Sequence, residues 1–132
     1  MDVVRKTVLY VVARLGEVDV KRLMYLMYLI DRDLYYVAGF TLFEWKYVFS
    51  GLRSFDVYDV ADDLVDLGYL EKEVKDRDIV YRIRGERRVE LPKQLRDVVD
   101  KVIEKVKGVE NLEELISKLI DPNIVEIAGL GA

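Results

Sequence analysis

Asp56-Val57-Tyr58-Asp59-Val60-Ala61-Asp62-Asp63-Leu64-Val65-Asp66-Leu67-Gly68-Tyr69-Leu70 runs into Glu71-Lys72-Glu73-Val74-Lys75, a charged turn Asp76-Arg77-Asp78, and Ile79-Val80-Tyr81-Arg82-Ile83-Arg84. In the first part, Val57, Val60, Ala61, Leu64, Val65 and Leu67 recur at helical spacing and fill one arc of a helical wheel. Asp56, Asp59, Asp62, Asp63 and Asp66 fill another arc. Gly68 is a helix stop. After it, Ile79, Tyr81 and Ile83 alternate with Arg82 and Arg84, the pattern of a hairpin with one apolar face. The apolar arc belongs to a core, and the five carboxylates are left to meet water or a partner.

Working outward, Val4, Val8, Val11, Val12 and Leu15 predict a first helix over 3–15, closed by Gly16. Asp19 caps a second helix, Val20 to Ala38, which ends before Gly39. This helix is apolar on nearly every side from Leu23 to Ile30, as a central buried helix is. Its Tyr25, Tyr28, Tyr35 and Tyr36 are expected in the core and at its rim. Phe43, Trp45, Tyr47 and Phe49 alternate strictly, which predicts a strand with four aromatic rings on one face. Phe43, Trp45 and Tyr47 are expected in the core, and Leu52 and Arg53, in the turn 50–54, at the surface. Ser54 or Asp56 caps the acidic helix. Gly85-Glu86-Arg87-Arg88 is a turn. Pro92 then opens a helix with the stripe Leu95, Val98, Val99, Val102, Ile103 and Val106, closed by Gly108. Asn111 with Glu114 starts a last helix that Asp121-Pro122 stops. Residues 123–132 are apolar and glycine-rich, and Ile124, Val125, Ile127 and Leu130 either pack across the body or fray.

The order helix, helix, strand, helix, strand, strand, helix, helix predicts a mainly helical α+β chain. Its expected centre is a winged helix-turn-helix with added N- and C-terminal helices. The 132 residues suit a single domain: a core over about 19–91, a helical extension over 92–121 and an apolar tail over 122–132. The stripe at 95–106 and the apolar tail suit either a homodimer or the folding of both back onto the long helix Val20 to Ala38.

The composition narrows the function classes. With no cysteine and no histidine, the chain has no disulfide, no thiol or imidazole catalysis and no ordinary zinc site. Only hard, oxygen-liganded ions such as Mg²⁺ or Ca²⁺ remain open. Asp59, Asp63 and Asp66 share a helix face, but one helix coordinates a cation poorly. Asp31-Arg32-Asp33 and Asp76-Arg77-Asp78 begin like calcium loops and then lack the glycine and the closing glutamate. No phosphate-binding glycine loop is present. Catalysis, a resident metal and a cofactor are therefore not expected. The charged start and the short longest apolar run predict a cytoplasmic protein without a membrane partner. Many charges with one Gln and two Asn fit a thermophile.

Three segments resemble the Panacea-domain, antitoxin-like family and its archaeal winged-helix relatives. Leu23-Met24-Tyr25-Leu26-Met27-Tyr28-Leu29-Ile30-Asp31-Arg32 is similar to the family's aromatic-rich leucine helix. Trp45-Lys46-Tyr47-Val48-Phe49-Ser50-Gly51-Leu52-Arg53-Ser54 resembles its aromatic strand and turn, with Phe49-Ser50-Gly51 where the family has Tyr-Gly-Pro. Leu112 to Pro122 resembles its closing helix. Members of that family mostly neutralise a partner protein by direct contact, so the resemblance implies a protein-binding module.

Charge points the same way. In a winged helix the third helix lies in the DNA groove, and affinity comes from Lys and Arg on phosphates. Here that helix carries aspartates, each costing roughly 0.5 kcal/mol at about 8 Å from a phosphate in water. A partner protein is therefore expected at Leu52, Arg53, Asp56, Asp59, Asp63 and Asp66. The alternative is a nucleic-acid-binding regulator that contacts through the wing, where Lys72, Lys75, Arg77, Arg82, Arg84, Arg87 and Arg88 outnumber the acids.

Overall fold

The computed structural model describes residues 1–127, and the expectation for Leu130 lies outside them. The fold is α+β, with five helices and two three-stranded sheets among the described residues. The elements are α1 (Val3–Leu15), β1 (Glu17–Asp19), α2 (Val20–Ala38), β2 (Trp45–Val48), β3 (Gly51–Arg53), α3 (Phe55–Asp66), β4 (Leu70–Lys75), β5 (Asp78–Ile83), α4 (Lys93–Val106), α5 (Leu112–Ser117) and β6 (Val125–Ile127).

One hydrophobic cluster runs through all of these elements, and α2 is its axis: Leu23 to Ile30 are buried without a break. A helix that is apolar all round needs cover on every side. It receives that cover from α4, α5, α3, β1 and β5. The α4 stripe, Leu95 to Val106, is buried at all six predicted positions. Leu26, Leu64 and Val102 are core residues. Asp19 accepts the Arg22 amide at 2.9 Å and so caps α2, and Asn111 accepts the Glu114 amide at 3.1 Å and caps α5.

The first sheet has the order β1-β5-β4, all antiparallel. Val18 faces Tyr81 across β1 and β5, and Leu70 faces Ile83 across β4 and β5. The short strand β1 was not expected. Three residues with one buried position carry no alternating signal of their own, and β1 exists because β5 arrives beside it. Helix α3 enters the hairpin through a Schellman turn: the Tyr69 amide donates to Leu64 O at 2.9 Å and the Gly68 amide to Val65 O at 3.0 Å. Gly68 has φ +85, the left-handed conformation this turn requires.

The second sheet has the order β3-β2-β6. Strand β2 is antiparallel to β3, with Tyr47 opposite Leu52, and parallel to β6, with Trp45 opposite Val125. The end of the described chain therefore packs across the body as a strand. Several expectations are corrected here. Residues 51–53 form a strand, and its register turns Leu52 inward to 3% exposure, so Leu52 is a core residue and no surface contact. The four aromatics do not share one buried face. Phe43 precedes β2 and is buried with Trp45, but Tyr47 is 39% exposed and Phe49 stands wholly in solvent. The strand runs off the edge of the core after Trp45. Tyr36 and Leu67 are also exposed, and α5 ends at Ser117, ahead of Asp121-Pro122.

Candidate functional site

The acidic helix carries the predicted site, and the structure divides its five aspartates into two groups. Asp62 and Asp63 are tied into the protein. The Tyr81 hydroxyl donates to Asp62 at 2.7 Å and the Lys72 ammonium at 3.0 Å. Burial raises the Asp62 pKa, but these bonds outweigh it and hold the carboxyl below its ordinary range. Burial, and then Asp62, push the Tyr81 hydroxyl up. Arg5 of α1 donates to Asp63 at 2.7 Å and also bonds Asp2. The expectation of one continuous solvated acidic face is thus corrected: packing of α3 against α1 and the hairpin gives two of its carboxylates partners. Asp56, Asp59 and Asp66 are exposed and make no ion pair among the described residues.

The loop between α2 and β2 adds a further free carboxylate, Glu44, beside Asp56. That loop is fastened by Asp31, a fully buried residue in α2. Its carboxylate accepts the Leu42 amide at 2.7 Å, the Phe43 amide at 3.0 Å and the Trp45 indole N–H at 2.8 Å. Among the described residues no cation pairs with it. Burial pushes its pKa up to about 6, against the pull of the three donors. Glu44 lies between two residues that Asp31 holds, so its place on the surface is set from inside the core.

Two adjoining clefts meet at Glu44 and Asp56. The larger, about 720 Å³, lies between the start of α1, residues 41–44 and the outer face of α3. The smaller, about 190 Å³, lies between β2, β3 and the first turn of α3, and Ser54 lines it. Ser54 occupies the N-cap position of α3, yet its side chain makes no capping bond. Its hydroxyl is buried and without a partner. Phe55, the next residue, is 70% exposed. Arg53 is half-buried, and its guanidinium folds back onto the Leu52 and Ser50 carbonyls at 2.8 and 3.0 Å.

On the hairpin, Arg82 pairs with Glu17 and Glu73, both at 3.0 Å. Lys72 pairs with Asp62, and Lys75 lies 3.7 Å from Glu73. Arg87 stacks over the Tyr69 ring at 4.9 Å and reaches the Arg84 and Gly68 carbonyls. Arg77, Arg84 and Arg88 are exposed and make no ion pair among the described residues.

Glu44, Phe55 and Arg5 were not singled out from the sequence, where Ser54 stands only as a helix cap and Asp31 only as the start of an incomplete calcium loop. Only Asp31 carried a signal: it lies four residues after Met27 and three before Leu34, on the buried arc of α2. Among the described residues no three acidic side chains are placed to share a metal ion, and no helix is long and apolar enough to cross a membrane. Compared with family models, with curated proteins and with solved structures, the chain matches none.

Proposed function

We propose that this chain is a protein-interaction module of antitoxin-like or regulatory type, built on a winged-helix core and recognising a partner protein through the outer face of α3 and the surface beside it. The order α1-β1-α2-β2-β3-α3-β4-β5, in which β1 is hydrogen-bonded beside the β4–β5 hairpin and the β2–β3 pair is inserted between α2 and α3, supports the winged-helix reading. One observation carries the function. The face of α3 that would meet a DNA groove presents Asp56, Asp59 and Asp66, which make no ion pair among the described residues, and no Lys or Arg. A phosphate backbone is repelled there, while a basic protein surface is attracted. Recognition, with no chemical step, is the role this surface suits.

A second reading has its own support. Arg77, Arg84 and Arg88 are unpaired, so a wing-led contact with DNA or RNA is the alternative. A pull-down from the native host, with and without nuclease, separates the two. A stoichiometric protein that survives nuclease supports the module. Recovery only through nucleic acid overturns it in favour of the wing.

A further inference from the structure

The two clefts that meet at Glu44 and Asp56 carry an inference about the partner's chemistry, which rests on reading the chain as a protein-binding module. The larger cleft is walled by Asp2, Glu44, Asp56, Asp59 and Asp63 against a single cation, Arg5, which is already bonded to Asp2 and Asp63. Glu44, Asp56 and Asp59 make no ion pair among the described residues, although Lys46 and Arg53 line the smaller cleft with Glu44 and Asp56, Arg53 being folded onto backbone carbonyls. An acidic wall alone is an ordinary solvated surface. Here a second, independent feature adjoins it: Ser54, 3% exposed and lining the smaller cleft, has a hydroxyl that meets no donor or acceptor among the described residues. A buried hydroxyl without a partner costs free energy, and a ligand group that bonds it recovers that cost. Phe55 offers most of its ring to solvent at the same place. An exposed aromatic beside unmet charge and an unmet hydroxyl is the make-up of a peptide-recognition spot.

We propose that this joined cleft binds an extended segment of a partner protein that carries an arginine or lysine next to an apolar side chain. The cation sits among Glu44, Asp56 and Asp59, the apolar side chain covers Phe55, and a main-chain group of the segment bonds Ser54. A second copy of this chain is the poorer occupant. Packing α3 against its own copy sets Asp56, Asp59 and Asp66 against the same carboxylates, and like charges oppose the contact. A nucleic acid meets the same repulsion.

The test is an amide-resolved NMR titration of the isotope-labelled full chain at ~150 mM salt, where only close charge pairs survive screening. The probe is a short end-blocked peptide alternating leucine and arginine, and the control alternates leucine and glutamate. Saturable shifts at Glu44, Ser54, Phe55, Asp56 and Asp59 with the arginine peptide alone support the proposal. Glu44→Gln and Asp59→Asn should each weaken binding by roughly two- to fivefold, the range of an exposed charge pair. Ser54→Ala should likewise weaken binding, with a melting temperature at or above that of the unsubstituted chain showing that the fold is intact, and unchanged affinity overturns the role of the hydroxyl. No shifts at the cleft, or equal affinity in both charge variants, overturn the proposal. Cleft shifts that grow with protein concentration alone overturn it in favour of a second copy, and cleft shifts with a DNA duplex overturn it in favour of nucleic acid. Repeating the host pull-down with Asp59→Asn distinguishes this failure from failure of the module: a protein partner retained at full yield removes the cleft and leaves the module standing.

Discussion

Replacing Asp31 with asparagine tests the reasoning about the buried carboxylate most directly. Two effects oppose each other at this residue. Burial without a counter-ion disfavours the charged form, and three hydrogen-bond donors favour it. With burial ahead, the native pKa stands at about 6 against an ordinary 3.8. The native state then holds its proton while the unfolded chain has released it. Stability is lost as pH rises from about 4 to about 6, and the loss is complete above 6. About two pH units at 1.36 kcal/mol each make this loss about 3 kcal/mol. Asparagine does not titrate, and all other groups cancel between the two proteins. The stability difference, wild type minus Asp31→Asn, should therefore grow by about 3 kcal/mol as the pH falls from 7.5 to 4. Across the whole range the variant also carries a cost of its own. One carboxylate oxygen serves the Leu42 amide and the other serves Phe43 and Trp45, so the asparagine NH₂ must face a donor on one side. A buried donor left unmet costs about 1–3 kcal/mol. Urea unfolding of both proteins at several pH values gives the difference. A flat difference refutes the dominance of burial. A difference that shrinks towards acid means that the three donors win and that the carboxyl titrates below its ordinary range.

Four further outcomes are expected. Leu64→Ala should cost about 2–5 kcal/mol in denaturant melts, and Asp59→Asn no more than about 0.5 kcal/mol, because Leu64 is wholly buried and Asp59 is exposed with no ion pair among the described residues. Tyr28→Phe removes a hydroxyl that donates to Leu119 O at 2.7 Å and accepts the Asp121 amide at 3.0 Å, so hydrogen exchange should quicken in 119–127 ahead of the rest of the chain. A chain ending at Asp121 loses β6 and uncovers Trp45, which should red-shift the tryptophan fluorescence and lower the melting temperature. A gel shift at ~150 mM salt should show no tight duplex binding, and nanomolar sequence-selective binding there would refute the assignment of α3 to a protein surface.

What the sequence made legible is what local periodicity encodes. The stripes of α1, α3 and α4, the caps at Asp19 and Asn111 and the stop at Gly68 each rest on neighbours within a few residues, and each is in place apart from the last stripe residues of α1 and α3, Leu15 and Leu67, which are exposed. The strands β1, β3 and β6 have three residues each and owe their existence to partners far away in the chain. No window of sequence that short distinguishes them from turn. Leu52 was misplaced for this reason: its burial follows from the pairing of β3 with β2, which no local pattern encodes.

Charge behaves in the same way. The wheel showed five equivalent aspartates, but equivalence on a wheel ends where a neighbouring element begins. Arg5 of α1 takes Asp63, and the hairpin takes Asp62 through Lys72 and Tyr81. What stays free is set by packing: Asp56 and Asp59 at one end of α3, joined by Glu44 from a loop that no helical pattern places beside them. Glu44 is there because Phe43 and Trp45, on either side of it, both donate to Asp31. A carboxylate in the core of α2 thus fixes a carboxylate on the surface. Loosening the first should blur the second, so Asp31→Asn should weaken the binding of an arginine peptide at the cleft although Asp31 never touches it.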